Sequence, residues 1–123
     1  MINHVSIGVP DLAAAGKFYD AALKPLGYKK LHDSAEALGY GADNPELWVM
    51  KAARPVADDD GSGLHLCLDA PSRAAVDGFH AAALGAGGRD NGKPGVRKDY
   101  GDNYYAAFVK DPSGYRIEVY CGK

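Results

Sequence analysis

The sequence predicts an α+β fold made of two tandem βαβββ units. Three observations carry that prediction: an internal repeat, a period-two alternation of apolar residues opening each copy, and a helical apolar stripe following each alternation. Sliding the chain by 61 residues, the distance from His4 to His65, lays His4-Val-Ser-Ile-Gly-Val-Pro10 over His65-Leu-Cys-Leu-Asp-Ala-Pro71 without a gap. The same offset pairs Phe18 with Phe79, Leu23 with Leu84 and Gly27 with Gly88. A register sustained over that length marks duplication of one supersecondary unit.

Taking the elements in order, Val5, Ile7 and Val9 alternate with His4, Ser6 and Gly8, the pattern of a strand with one face buried. Pro10-Asp11 stops that strand and caps a helix, because the aspartate oxygen can accept from free first-turn amides. The stripe Leu12, Ala15, Phe18, Tyr19, Ala22 and Leu26 predicts the helix, and Gly27 ends it. Short β-like runs follow at 28–32, 35–40 and 46–50, the last one introduced by the turn Asp43-Asn44-Pro45. The second copy repeats the scheme. Leu64, Leu66 and Leu68 alternate with His65 and Cys67, Pro71-Ser72 opens a helix through Val76, Phe79 and Ala83, and strands follow at 104–110 and 115–121 after Asp111-Pro112-Ser113-Gly114. The first module spans about 1–54, a linker with Asp58-Asp59-Asp60-Gly61 about 55–62, and the second module about 63–123.

At 123 residues one domain is expected, and 46% hydrophobic with 24% charged residues is enough to bury a core. Fourteen basic against 16 acidic residues, with no run of like charge, give nothing to meet a phosphate backbone, so a nucleic-acid partner is not expected. No secretory signal or membrane-length apolar run is present, which predicts a cytoplasmic protein that does not enter a membrane and keeps Cys67 and Cys121 as thiols.

Alternation puts His4 and His65 on the strand faces turned away from the helices. In the last strand Ile117, Val119 and Cys121 take the helix side, which leaves Arg116, Glu118 and Tyr120 with the histidines. Two imidazoles and a carboxylate on one face suit a divalent transition metal, with positions left for water or substrate. Glu46 occupies the last strand of the first half as Glu118 does in the second, and is a candidate fourth ligand. Aligning those glutamates requires an insertion in the second half, for which the glycine-rich stretch Asn91 to Gly101 reads as a loop shaping access. Trp48 and Met50 share the face of Glu46, and Tyr100, Tyr104 and Tyr105 flank the loop, aromatics that suit a planar or apolar ligand. Trp48, Met50, Arg97, Tyr100, Tyr105 and Tyr120 are the expected substrate pocket, with Arg97 suited to an anionic group.

His4-Val-Ser-Ile-Gly-Val-Pro-Asp-Leu followed by Phe18-Tyr19, the Gly63-Leu-His65 strand and Asp111-Pro-Ser-Gly-Tyr-Arg-Ile-Glu118 together resemble the vicinal oxygen chelate superfamily over nearly the whole chain. That superfamily includes glyoxalase I, fosfomycin-resistance transferases, bleomycin-resistance proteins and extradiol dioxygenases. The resemblance implies a cup-shaped mixed sheet with helices on its outer face, holding a divalent ion (zinc, nickel, manganese, cobalt or iron) that substrates chelate through adjacent oxygens. By matching position the ligands are His4, His65 and Glu118, with Glu46 fourth, and Glu118, then Glu46, is the candidate proton-moving base. The resemblance further implies a homodimer acting as a glyoxalase-like lyase or isomerase on a small oxygenated molecule. A non-catalytic drug- or metabolite-binding protein and a fosfomycin-type thiol transferase are the alternatives.

Overall fold

The computed structural model describes residues 1–56 and 60–123, and in it the repeat becomes two four-stranded mixed sheets, each with one helix. The first unit runs β1 (Val5–Val9), α1 (Leu12–Ala22), β2 (Lys29–Asp33), β3 (Ala37–Gly41) and β4 (Leu47–Lys51). The second runs β5 (Leu66–Asp69), α2 (Arg73–Gly85), β6 (Arg89–Val96), β7 (Tyr105–Lys110) and β8 (Arg116–Cys121). Strand order is β1-β4-β3-β2 in one sheet and β5-β8-β7-β6 in the other. In both, the first strand pairs parallel with the last, and the remaining pairs are antiparallel. Ala57, Asp58 and Asp59 of the expected linker lie outside the described residues, and Asp60–Ser62 form a short 3-10 turn.

The capping signals act as the sequence implies. Asp11 Oδ1 accepts from the amide of Ala14 at 3.0 Å, and Ser72 Oγ from that of Ala75 at 3.1 Å. Helix α1, however, stops at Ala22 rather than reaching Leu26. Pro25 has no amide to donate and its ring would strike the carbonyl one turn back, so Lys24–Leu26 tighten into a 3-10 turn. Gly27, at φ 84°, then reverses the chain in a conformation that other residues enter at a cost.

The stretch expected to be a loop at Asn91–Gly101 is for its first half strand β6. Two features hid it. Gly92, at φ 151°, and Gly95 sit at register shifts against β7, and Pro94 would block a central strand. Strand β6 is an edge strand, so the missing proline donor costs no ladder bond. The true loop is the shorter crossing from Arg97 to Tyr104, closed by Arg97 N–H to Tyr104 O at 2.7 Å.

One core serves both units. Ile7, Val9, Phe18, Tyr19, Leu38 and Val49 of the first join Val76, Phe79, Val109, Ile117 and Val119 of the second in a continuous apolar cluster. Phe18 of α1 packs so closely on Gly88 that a side chain there would meet its ring at 2.5 Å. Buried Tyr19 donates to buried Asp111 Oδ2 at 2.6 Å, tying the first helix to the turn before β8. The Asp111 Oδ1 atom accepts from the amides of Ser113 and Tyr115 at 2.9 and 2.8 Å. Burial raises the Asp111 carboxyl above its usual 3.8, and these bonds oppose that rise. Two further tyrosines cross between units: Tyr28 donates to Asp69 O at 3.2 Å and Tyr115 to Gly8 O at 2.8 Å. Gly8 and Asp69 are equivalent positions of the repeat.

Candidate metal centre

Glu118 lies in β8 with Cys67 of β5 opposite it on one side and Phe108 of β7 on the other. Because Ile117 and Val119 turn into the shared core, Glu118 faces the opposite side of the sheet, where it is nevertheless only 4% exposed. A carboxylate that deep is costly unless each oxygen is partnered. Both are: Tyr104 donates to Oε1 at 2.6 Å, and His65 Nε2 lies 3.0 Å from Oε2. His65 immediately precedes β5 and keeps its side chain 48% exposed, so the buried carboxylate meets solvent through the imidazole.

The surroundings reinforce this asymmetry between a closed and an open side. Tyr104 stacks on Tyr120 with ring centroids 4.3 Å apart, and Tyr100 meets Tyr104 edge-on at 5.2 Å. The bond to Glu118, with burial second, raises the Tyr104 hydroxyl above its ordinary range, so it remains a donor. Burial, then the Glu118 charge, pushes the Cys67 thiol up to about 12, which keeps it protonated near neutral pH. The chemistry of the pair, one imidazole nitrogen and one carboxylate oxygen converging at hydrogen-bond distance, fits a divalent ion of borderline hardness.

The other sequence-derived residues fall into three groups. Tyr100, Tyr120 and Arg97 flank the pair. The Arg97 guanidinium lies 5.3 Å over Phe108 and braces β6 by donating to Gly95 O and Lys93 O at 2.9 and 2.7 Å. Tyr105 is on the wrong face. Its hydroxyl donates to Asp77 of α2 at 2.6 Å and Arg73 covers its ring at 5.1 Å, because adjacent strand residues point oppositely. Its neighbour Tyr104 is the one that reaches Glu118, and counting parity back from Phe108 would have selected it.

His4, Glu46, Trp48 and Met50 belong to the other sheet. His4 is exposed and bonds Asn3 at 2.7 Å, and the register pairing Val5 with Leu47 sets it beside Glu46. Among the described residues no three His, Cys, Asp or Glu side chains converge within one chain. Glu46 and His65 do border the same cavity of about 630 Å³ between the units, together with Val5, Tyr28, Leu66 and Asp69.

The register also corrects the pairing of the two glutamates. Val5 opposes Leu47 in the first sheet, and its equivalent Leu66 opposes Ile117 in the second. Leu47 is therefore the counterpart of Ile117, Glu46 of Arg116, and Trp48 of Glu118. Aligning glutamate to glutamate slipped the strand by two residues, an error that alternation cannot reveal because it preserves the face.

Comparison with known proteins agrees with this architecture. The family model described as Glyoxalase/Bleomycin resistance protein/Dioxygenase superfamily matches residues 1–119. A crystal structure of a glyoxalase/bleomycin resistance protein from Albidiferax ferrireducens T118 is 31% identical, with 96% of each chain covered and a TM-score of 0.83. The uncharacterised protein YqjT of Bacillus subtilis (strain 168) is 28% identical over 123 residues, covering 96% of both chains. A putative glyoxalase from Bacillus halodurans, 24% identical, shares the fold at a TM-score of 0.74, with 98% of this chain and 94% of that one covered.

Proposed function

Starting from the fact that the chain belongs to the glyoxalase/bleomycin resistance protein/dioxygenase superfamily, we propose that it is a glyoxalase-like, divalent-metal-dependent lyase or isomerase acting on a small oxygenated substrate. The observation that carries this is the His65–Glu118 pair: a buried carboxylate and a half-exposed imidazole 3.0 Å apart. His65 and Glu118 would hold the ion together with His4, and Glu46 is the candidate fourth donor. Because no three such side chains converge within one chain among the described residues, the reading includes a homodimer in which the partner copy completes the donor set.

A bound divalent ion supplies Lewis acidity to a carbonyl or hydroxyl oxygen of the substrate. The remaining work falls to side chains. Tyr104 fixes Glu118 through Oε1, which leaves Oε2, on the His65 side, as the atom to take a proton from carbon or oxygen. Tyr104 and Tyr120 wall off the carboxylate from bulk water on one side. Trp48 and Met50 offer apolar surface for the body of the substrate.

The test is elemental analysis of protein purified without chelators, with thermal shifts on adding nickel, zinc, manganese, cobalt or iron(II). Retention of about one ion per chain, lost in His65→Ala and Glu118→Gln, is the expected result. Protein that holds no ion and gains no stability from any of the five would overturn the enzyme reading and favour a sequestering protein. Sedimentation equilibrium tests the dimer, a monomer at all concentrations being the adverse result.

A further inference from the structure

Strands β1 and β5 each border their sheet, and no backbone hydrogen bond among the described residues joins their free edges. The cavity of about 630 Å³ lies between them. Its apolar walls come from the core: Leu23, Tyr40 and Leu47 belong to the buried cluster, and Val5, Leu66 and Leu68 pack against it. These side chains are on the helix side of the sheets, whereas Glu118, Tyr104 and Tyr120 are not among the lining residues. A space of this size suits a small organic molecule, since ligand pockets commonly run from about 300 to 1,000 Å³.

The charge bordering the cavity is acidic. Glu46 and Asp69 are exposed at its margin, and among the described residues no lysine or arginine lines it. Neither carboxylate carries a hydrogen bond or an ion pair within the described residues. Tyr28 marks where the two converge. Its hydroxyl donates to Asp69 O at 3.2 Å, and after burial it is the Asp69 and Glu46 charges that hold this hydroxyl above its ordinary range. An ammonium group has three N–H donors and no acceptor, so it can use both carboxylates and the remaining lone pair of the Tyr28 oxygen. An anionic ligand would be repelled there, and a bare inorganic cation would gain nothing from the leucines beneath.

We propose that the cleft between β1 and β5 is a binding site, separate from the metal centre, for organic ammonium ions that carry an apolar body. The body takes the place of water against the leucine and tyrosine walls, while the ammonium stays at the margin beside Glu46 and Asp69 and keeps part of its hydration. The inference stands apart from the metal reading, because it uses neither a bound ion nor Glu118.

Calorimetric titration with naphthylmethylamine at neutral pH, where it is a cation, and with naphthylmethanol, its neutral counterpart, tests this in the presence and absence of EDTA. Saturable binding of the amine, about tenfold tighter than the alcohol and unaffected by EDTA, is expected, with no detectable binding of methylammonium. Asp69→Asn and Glu46→Gln should each weaken the amine about three- to fivefold and leave the alcohol unchanged. Glu36→Gln, at an exposed glutamate outside the cavity, should alter neither. Equal affinity for amine and alcohol, methylammonium binding as tight as the larger amine, or amine binding insensitive to both cavity substitutions would overturn the inference. So would amine binding abolished by EDTA, which would seat the amine on an ion, or binding that weakens as protein concentration rises, which would give the cleft to a second copy of the chain.

Discussion

Tyr19→Phe removes one oxygen from the interior and asks how firmly the two units are joined. The hydroxyl donates to Asp111 Oδ2 at 2.6 Å, both residues being buried, and no water can replace it without opening the core. A hydrogen bond to a charged group contributes about 1.5–3 kcal/mol, and the carboxylate oxygen left behind keeps its desolvation cost, so a loss of about 2 kcal/mol is expected. With unfolding entropy of roughly 2.1 cal/mol/K per residue, a chain of this size loses about 8 °C in melting temperature. The pH dependence makes the prediction specific. Burial already holds the Asp111 carboxyl above its unfolded value, and the Tyr19 bond is among the interactions that lower it. Removing that bond raises the folded pKa further, so the folded variant takes up its proton at higher pH than wild type does. The deficit is therefore fullest near neutrality and narrows as pH falls through the Asp111 pKa towards 3.8. Differential scanning calorimetry of both proteins across that range is the assay. An unchanged melting temperature, or a deficit equal at neutral and acid pH, would refute the account.

Three further outcomes follow from the same contacts. In chelator-treated protein Cys67 should react with a thiol reagent about a thousandfold slower at pH 8 than an ordinary thiol, since a pKa of about 12 replaces 9.0; Glu118→Gln, by removing a negative neighbour, should speed it. Tyr104→Phe should weaken metal retention roughly tenfold by releasing Glu118 Oε1, whereas Tyr105→Phe, on the helix face, should leave retention unchanged and cost about 1 kcal/mol or less of stability; equal effects on metal would contradict the assignment of faces. Gly88→Ala drives a methyl into Phe18 and the carbonyl of Ala83 and should cost about 1–3 kcal/mol in chemical denaturation, while unaltered stability would mean that α1 packs more loosely than the contact implies.

The repeat, the alternation and the caps were legible because they are local: each depends on residues a few places apart. Helix α1 misled through Leu26, whose apolar spacing continues the stripe although Pro25 forbids the helix. Strand β6 was illegible because edge position, which excuses Pro94 and the glycines, is a property of the sheet and not of the segment. At the site, Glu118 and His65 could be put on one face from period two alone. Tyr104, legible as an aromatic flanking the loop, gives way to Tyr105 in the expected pocket because parity must be counted from a fixed point inside the strand, and the strand start is where that count is least secure. The pairing of Glu46 with Glu118 failed differently: identity of residue type was preferred to register, and only the ladder from Val5 to Leu47 exposes Trp48 as the true counterpart.

The two tyrosines that cross between the units have an evolutionary reading. Tyr28 and Tyr115 come from different places in the repeat, one after a helix and the other before a final strand, yet they end on equivalent carbonyls, those of Asp69 and Gly8. What duplication preserved is thus the acceptor, and the acceptor is main chain. Side chains at these two positions have drifted as far apart as glycine and aspartate without disturbing the joint, because the peptide group is present whatever the codon specifies. A junction addressed to the backbone tolerates mutation on one of its sides, and that latitude leaves one copy of the unit free to carry a carboxylate where the other carries an indole.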